Sequence, residues 1–126
     1  MRFVAWIVSM GRMTAEDLAG HAGGPLGAQY AAGCAWVVTA QGEVDLNTMP
    51  PLTDALTEAA DQHAVVVMDV SAVTFADSTF LNLLLRIHPL TDLRIAAPAP
   101  ALQRMLDITG ADQVLTLHAT VADASA

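Results

Sequence analysis

A run of apolar, mostly β-branched residues at positions 64–70 constrains the fold of this chain more than any other segment. The run is too short for a helix, and its nearly continuous apolar character is typical of a strand buried on both faces. The segment before it, residues 49–62, has one apolar stripe at helical spacing, and the segment after residue 78 is apolar without Gly or Pro. Buried strands that alternate with amphipathic helices predict an α/β domain.

Turn residues divide the rest of the chain into further elements. Gly33 separates two strand segments of a hairpin, and Gly42 is expected to end the second of them. Thr48 or Asn47 is expected to cap the first helix, and Ser78 the second. The predicted strands are residues 27–32, 34–40, 64–70, 93–97 and 114–118, and the predicted helices are residues 49–62, 78–88 and 99–109, with Gly110 as the last C-terminal cap. We therefore expect a mixed β-sheet of about five strands, with helices packed mainly on one face.

Composition restricts the partners. The 126 residues suffice for one domain, and 54% hydrophobic with 14% charged residues indicate a well-buried globular unit. The net charge of −8 argues against binding to nucleic acid or direct insertion into an anionic membrane. The one cysteine, Cys34, excludes an internal disulfide and fits a reducing cytoplasm. We expect Cys34 to fill a buried strand position.

The chain divides into three parts in this interpretation. Residues 1–27 form an N-terminal extension, residues 28–118 the folded domain, and residues 119–126 a C-terminal tail with a frayed short helix. The apolar run at residues 3–8 is too short to cross a bilayer, and no convincing signal-peptide cleavage site follows it. A start at Met10 or Met13 is an alternative origin for this segment.

Enzyme chemistry has no sequence support. The four histidines lie in separate segments without metal-ligand spacing, and neither a nucleophile elbow nor a glycine-rich phosphate loop is present. A receiver-like phosphoacceptor at Asp69 would need a lysine near the last strand, but the chain contains no lysine. We therefore expect a protein without catalytic activity, cofactor or metal.

Polar residues cluster where two predicted parallel strands end. Glu43, Asp45, Asn47 and Thr48 follow the second strand, while Asp77 and Ser78 follow the third. Because ligands and partners dock at the carboxyl ends of such strands, these residues are expected to form one acidic surface around the Ser78 hydroxyl. From the residues alone, ordinary solvated turn chemistry is the favoured explanation of them.

Three motifs that follow one another along the chain favour a functional interpretation over ordinary turn chemistry. They are Gly42-Glu43-Val44-Asp45, the apolar strand that leads to Asp69, and Asp77-Ser78-Thr79. Together they resemble the STAS domain, and within it the anti-sigma factor antagonists. Those proteins have a Gly-Glu-Leu/Val/Ile-Asp turn, a buried strand ending in Asp and an Asp-Ser-Ser/Thr-Gly-Leu-Gly motif. The resemblance covers residues 28–118 and implies the same fold.

The resemblance also implies a function. Unphosphorylated, such a protein binds an anti-sigma factor serine kinase of the ATPase type and releases the sigma factor. Phosphorylation of the serine that matches Ser78 ends the binding, and a phosphatase restores it. The implied partner-binding residues are Glu43, Asp45, Asn47, Thr48, Asp77, Ser78, Thr79, Phe80 and Asn82.

Two of these positions depart from the family pattern, because Phe80 and Asn82 stand where the family usually has glycine. Phe80 is a partner contact, a shield over the hydroxyl or a core residue. The alternative function within the same resemblance is an unphosphorylated structural subunit, for instance of a lipid-transport complex. Binding of a small ligand near Asp45 and Ser78 has no positive signal, and dimerisation through an exposed strand edge is left open.

Overall fold

The computed structural model describes residues 24–126, which form one five-stranded sheet with helices on both sides. The strands lie in the sheet in chain order; β1 is antiparallel to β2, and all other neighbours are parallel. The strands are β1 (Leu26–Ala32), β2 (Ala35–Val44), β3 (Val65–Ala76), β4 (Asp92–Ala96) and β5 (Thr116–His118). The helices are α1 (Pro50–Gln62), α2 (Ser78–Ile87), α3 (Pro100–Thr109) and α4 (Val121–Ser125). The predicted α/β domain with a mixed sheet is confirmed.

The main core lies between the sheet and α1, α2 and α3. Val66, Met68 and Val70 of β3 point into it, as the period of two in a strand requires, and all three are fully buried. The helices contribute large side chains to the same layer, among them Leu52, Leu56, Phe80, Leu83, Leu84, Leu102 and Leu106. Helices on mainly one face of the sheet are thus confirmed.

The opposite face carries a smaller cluster that α4 covers. Val37 and Val67 are fully buried there together with Ala124 of α4. Arg94 holds α4 in place, since its Nη1 donates to the Ala124 carbonyl at 2.7 Å while Nη2 pairs with Asp92 at 2.9 Å. The hydrogen bond with Asp92 raises the pKa of Arg94. The expectation of a frayed C-terminal helix is therefore wrong, because its apolar side packs on the sheet.

Two strands continue further than the sequence pattern predicts. β2 runs through Gly42 to Val44, and β3 runs past Val70 to Ala76. The pairing accommodates this extra length with two register shifts, one of them next to Gly42. Gly42 has a φ of +67°, a conformation that favours glycine, so it bends β2 without ending it.

Other differences lie at turns. Cys34 is exposed in the β1–β2 turn, where its Sγ lies 3.4 Å from the Ser125 carbonyl, so its predicted burial is wrong. The predicted cap at Gly110 is confirmed by its φ of +80°. A 3₁₀ turn at Ala111–Gln113 follows it, and β5 is shorter than expected for that reason. Most of the predicted N-terminal extension, residues 1–23, falls outside the described residues.

The burial of Phe80 yields the first prediction. Phe80 has no exposed surface, so Phe80→Ala is expected to lower the free energy of unfolding by about 3–5 kcal/mol. Phe75 is the matched control; it is 54% exposed, and Phe75→Ala should cost about 1 kcal/mol at most. Urea unfolding followed by circular dichroism measures both. Equal losses in the two variants would contradict the packing described.

Candidate functional site

The pairing of β2 with β3 brings two turns to one edge of the sheet. Val44 lies opposite Ala76 in the parallel register, and these are the last residues of their strands. Asp45 directly follows β2 and Asp77 directly follows β3. The two aspartates therefore leave the sheet side by side. The β2–α1 turn and the start of α2 meet at the carboxyl ends of the strands, where α/β sheets bind ligands and partners.

The β2–α1 turn satisfies its own polar groups. Asp45 Oδ1 accepts hydrogen bonds from the backbone N–H groups of Asn47 at 3.0 Å and Thr48 at 3.1 Å. The Thr48 hydroxyl accepts from the Asp45 N–H at 3.1 Å and lies 3.2 Å from the Glu43 carbonyl. These bonds fix the backbone of the turn, and the side chains of Glu43 and Asn47 are left exposed.

The expected cap of α1 by Thr48 or Asn47 is wrong. The N-cap is Met49, without a side-chain hydrogen bond, and the helix begins with Pro50 and Pro51. Proline has no backbone N–H, so two of the donors that a cap would satisfy do not exist. The Thr48 hydroxyl is therefore free to close the turn instead.

The cap of α2 is Asp77, not Ser78. Asp77 has extended backbone angles, and its Oδ1 accepts the Thr79 N–H at 2.9 Å. Its carbonyl accepts from the N–H groups of Phe80 and Leu81. Ser78 is instead the first helical residue and is exposed, and its hydroxyl has no hydrogen-bond partner among the described residues. The serine expected to cap the helix thus has an unused side chain.

The two departures from the family motif lie on opposite sides of α2. Phe80 is fully buried in the main core, which decides among its three predicted roles in favour of a core residue and removes it from the accessible surface. Asn82 is exposed and follows Ser78 by four residues, so both share one face of the helix. Thr79 is half-buried between these sides.

One feature at the same end of the sheet has no signal in the sequence. Ala97 directly follows β4 and has a φ of +58°, a left-handed conformation that costs a non-glycine residue about 1–2 kcal/mol. Pro98 follows it, and a residue before proline ordinarily prefers extended angles. The Ala97 N–H donates to the His118 carbonyl at 2.9 Å, which holds the chain in this unusual bend.

The described residues contain no cluster of three or more His, Cys, Asp or Glu side chains that could hold a metal ion. Within the same part of the chain, no helix is long and apolar enough to cross a membrane. This edge of the sheet has an exposed hydroxyl on the first turn of a helix, with Glu43 near the end of β2 and with Asp45 and Asp77 directly after the two strands. That arrangement can present the hydroxyl to another protein.

The family profile described as the STAS domain matches residues 29–124. The chain belongs to the STAS domain family. The match begins within β1, covers the other four strands and helices α1, α2 and α3, and extends into α4. No curated protein matches the chain.

Solved structures specify the type of STAS domain. An anti-sigma factor antagonist from Mycobacterium paratuberculosis is 31% identical, with a TM-score of 0.71 over 77% of this chain and 87% of that one. The chain is thus a STAS domain of the anti-sigma factor antagonist type. A STAS domain protein from Planctomyces limnophilus is 18% identical, with a TM-score of 0.71 over 81% and 95% of the two chains. The phosphorylated form of SpoIIAA from Bacillus is 14% identical, with a TM-score of 0.58 over 75% and 91%. The last two share the fold.

The cap assignment in this STAS domain yields the second prediction. Asp77→Ala is expected to lower the free energy of unfolding by about 1 kcal/mol, because the Thr79 N–H loses its acceptor. Ser78→Ala should change it by about 0.5 kcal/mol or less, since Ser78 is exposed and is not the cap. Asp77→Asn keeps an accepting oxygen and should retain most of the stability. Chemical denaturation compares the variants, and a loss in Ser78→Ala as large as in Asp77→Ala would overturn the assignment.

Proposed function

We propose that this STAS domain is an anti-sigma factor antagonist switched by phosphorylation of Ser78. In its unphosphorylated state it binds an anti-sigma factor serine kinase of the ATPase type, and the sigma factor is released. The observation that carries the proposal is the position of Ser78: it is exposed at the start of α2, and Asp77 takes the capping role. The 31% identical antagonist from Mycobacterium paratuberculosis supports the same role.

The proposed modification is a phosphoryl transfer from ATP bound to the kinase. The Ser78 Oγ forms a bond to the γ-phosphorus, the bond from that phosphorus to the bridging oxygen of ADP breaks, and a base of the kinase takes the hydroxyl proton. The antagonist contributes an accessible hydroxyl on a rigid helix and no catalytic group. Because Ser78 makes no fold-stabilising hydrogen bond among the described residues, the hydroxyl is available without local unfolding.

The product is compatible with the folded domain. A phosphate on Ser78 would stand at the positive end of the α2 dipole, and the Ser78 N–H has no backbone acceptor among the described residues. Asp77 continues to cap the helix from the neighbouring position. The modification is therefore expected to change the surface and to leave the packing of Phe80 beneath it intact.

Binding ends for an electrostatic reason. Phosphorylation adds about −1.5 to −2 charges to a surface that already carries Glu43, Asp45 and Asp77. A partner surface that fits a neutral hydroxyl would have to bury this dianion, and desolvation of an unpaired charge is costly. A phosphatase then restores the binding form. This cycle implies a cytoplasmic binding protein rather than an enzyme, in keeping with the ATP that the kinase consumes.

The first test is the modification itself. The protein isolated from its host during growth and stress should carry one phosphate, which peptide mass spectrometry should place on Ser78. Ser78→Ala should abolish the phosphate, and Thr79→Ala, the matched neighbour, should retain it. Absence of phosphate in all conditions, together with co-purifying subunits of a transport complex, would contradict the switch and favour a structural subunit.

The second test measures binding. The ATPase-type anti-sigma factor kinases of the host are purified one by one and titrated with the antagonist by calorimetry. Ser78→Asp is expected to lower the affinity at least about tenfold, equivalent to about 1.4 kcal/mol, whereas Ser78→Ala keeps it. Both variants should unfold at nearly the wild-type denaturant concentration. Unchanged binding by Ser78→Asp would exclude the proposed charge mechanism.

A further inference from the structure

The end of β3 has one edge without a strand neighbour. β3 contains 12 residues and β4 only five, and the two strands pair from Val65 to Asp69 alone. Beyond that point β2 continues to pair with β3, as far as Val44 opposite Ala76. The far side of residues 71–76 therefore faces no strand among the described residues, and only the Ser71 N–H is taken locally, by the Asp69 carboxylate at 3.0 Å.

A groove of about 610 Å³ follows this edge. Residues 71–76 of β3 form one wall, and the first turns of α3 form the other, with Ala101, Leu102 and Met105. The lining is mainly apolar, and Phe75 at its upper end is 54% exposed. Six residues of strand correspond to about 20 Å of edge, which suits an extended segment better than a compact small molecule.

The edge lacks two of the usual protections, charged side chains and proline, although two register shifts interrupt it. Proteins ordinarily guard an open strand edge with charged side chains or proline, because its free N–H and C=O groups pair with other chains. Residues 71–76 are Ser-Ala-Val-Thr-Phe-Ala, without a charge or a proline. Ser71, Ala72, Thr74 and Phe75 are all exposed. The segment therefore has the properties of a site for strand addition.

We propose that this groove receives an extended segment of the anti-sigma factor partner, which adds as a strand to the free edge of β3. The proposal rests on the proposed function, since the edge leads without interruption from Ala76 to Asp77 and Ser78. The segment would place apolar side chains against Phe75 and Met105. It would carry a basic residue at the end of the groove near Ser78, where Asp77 directly follows the strand.

Charge favours this occupant over a second copy of the chain. A second copy brings a net charge of −8 and, pairing antiparallel along the same edge, places its own Asp69 near Asp77. Like charges brought together at an interface oppose association. A partner segment with a basic end meets complementary charge instead.

The test uses the full chain and the host kinase that binds it. Ala101→Arg places a long charged side chain in the groove and is expected to lower the affinity for the kinase at least about tenfold. Ala122→Arg is the matched control, because Ala122 is an exposed helical alanine on α4, on the opposite face of the sheet. It should bind like the wild type. Phe75→Ser, which removes an exposed groove side chain without adding bulk, should weaken binding several-fold.

Amide hydrogen exchange reports the strand directly. The amides of residues 71–76 that point away from β2, apart from the Ser71 N–H, should exchange rapidly in the free antagonist and become protected when the kinase is added, whereas the amides bonded to β2 should be protected throughout. Protection of the amides on the free side already present in the dilute free chain would mean that another part of the chain covers the edge, and protection of them that grows with antagonist concentration would mean a second copy. Either result overturns the proposal.

The outcomes separate the two proposals. Wild-type binding by Ala101→Arg, with binding lost in Ser78→Asp, would overturn strand addition and leave the phosphorylation switch standing. If no host kinase binds the wild-type protein, the proposed function fails and strand addition fails with it. Loss of binding in Ala101→Arg and Phe75→Ser but not in Ala122→Arg supports the groove.

Discussion

The parallel pairing of β2 with β3 is the constraint on which the site depends. It runs from Trp36 opposite Val66 to Val44 opposite Ala76 and carries two otherwise distant turns to one edge. Two register shifts keep the strands paired to that point, and Gly42 permits the one beside it through its φ of +67°. A Cβ at Gly42 would meet no atom within 4 Å, so the requirement is conformational rather than spatial. Without this pairing, Asp45 and Asp77 would not leave the sheet together.

At that edge the structural task and the proposed functional task fall on different residues. Asp77 satisfies the Thr79 N–H and receives two further amides at its carbonyl, while the neighbouring Ser78 keeps a free hydroxyl. A serine that capped the helix would have to surrender its hydrogen bond when modified, which couples phosphorylation to stability. With the cap on Asp77, a phosphate on Ser78 alters charge and leaves the helix start intact. The burial of Phe80 two residues later anchors the same turn to the core.

The features that the sequence predicts are those decided by neighbouring residues. Helical spacing in α1, the apolar run of β3 and Gly110 at the end of α3 are local signals, and the structure confirms each. The extension of β3 to Ala76 depends on pairing with β2, which no local pattern records, whereas the cap at Asp77 is a local choice between two adjacent residues that both favour the N-cap position. Burial of Ala124 likewise follows from α4 packing on the sheet, and Cys34 is exposed because it lies in the β1–β2 turn. The predicted topology places the site residues at one edge of the sheet. The burial of Phe80 in the main core is visible only from the packing in the structure.

A surface that binds through one hydroxyl alone would be a weak switch, since a partner could pivot away from the phosphate and keep its other contacts. The proposed strand addition at residues 71–76 would remove that freedom, because backbone hydrogen bonds would fix the register of the added segment along β3. The edge continues directly into Asp77 and Ser78, so a segment held in register would hold the partner against the hydroxyl. A dianion at that point cannot then be avoided without breaking the strand pairing. Affinity from the groove and discrimination from Ser78 would thus be coupled by geometry, and a single phosphate could release the whole interface.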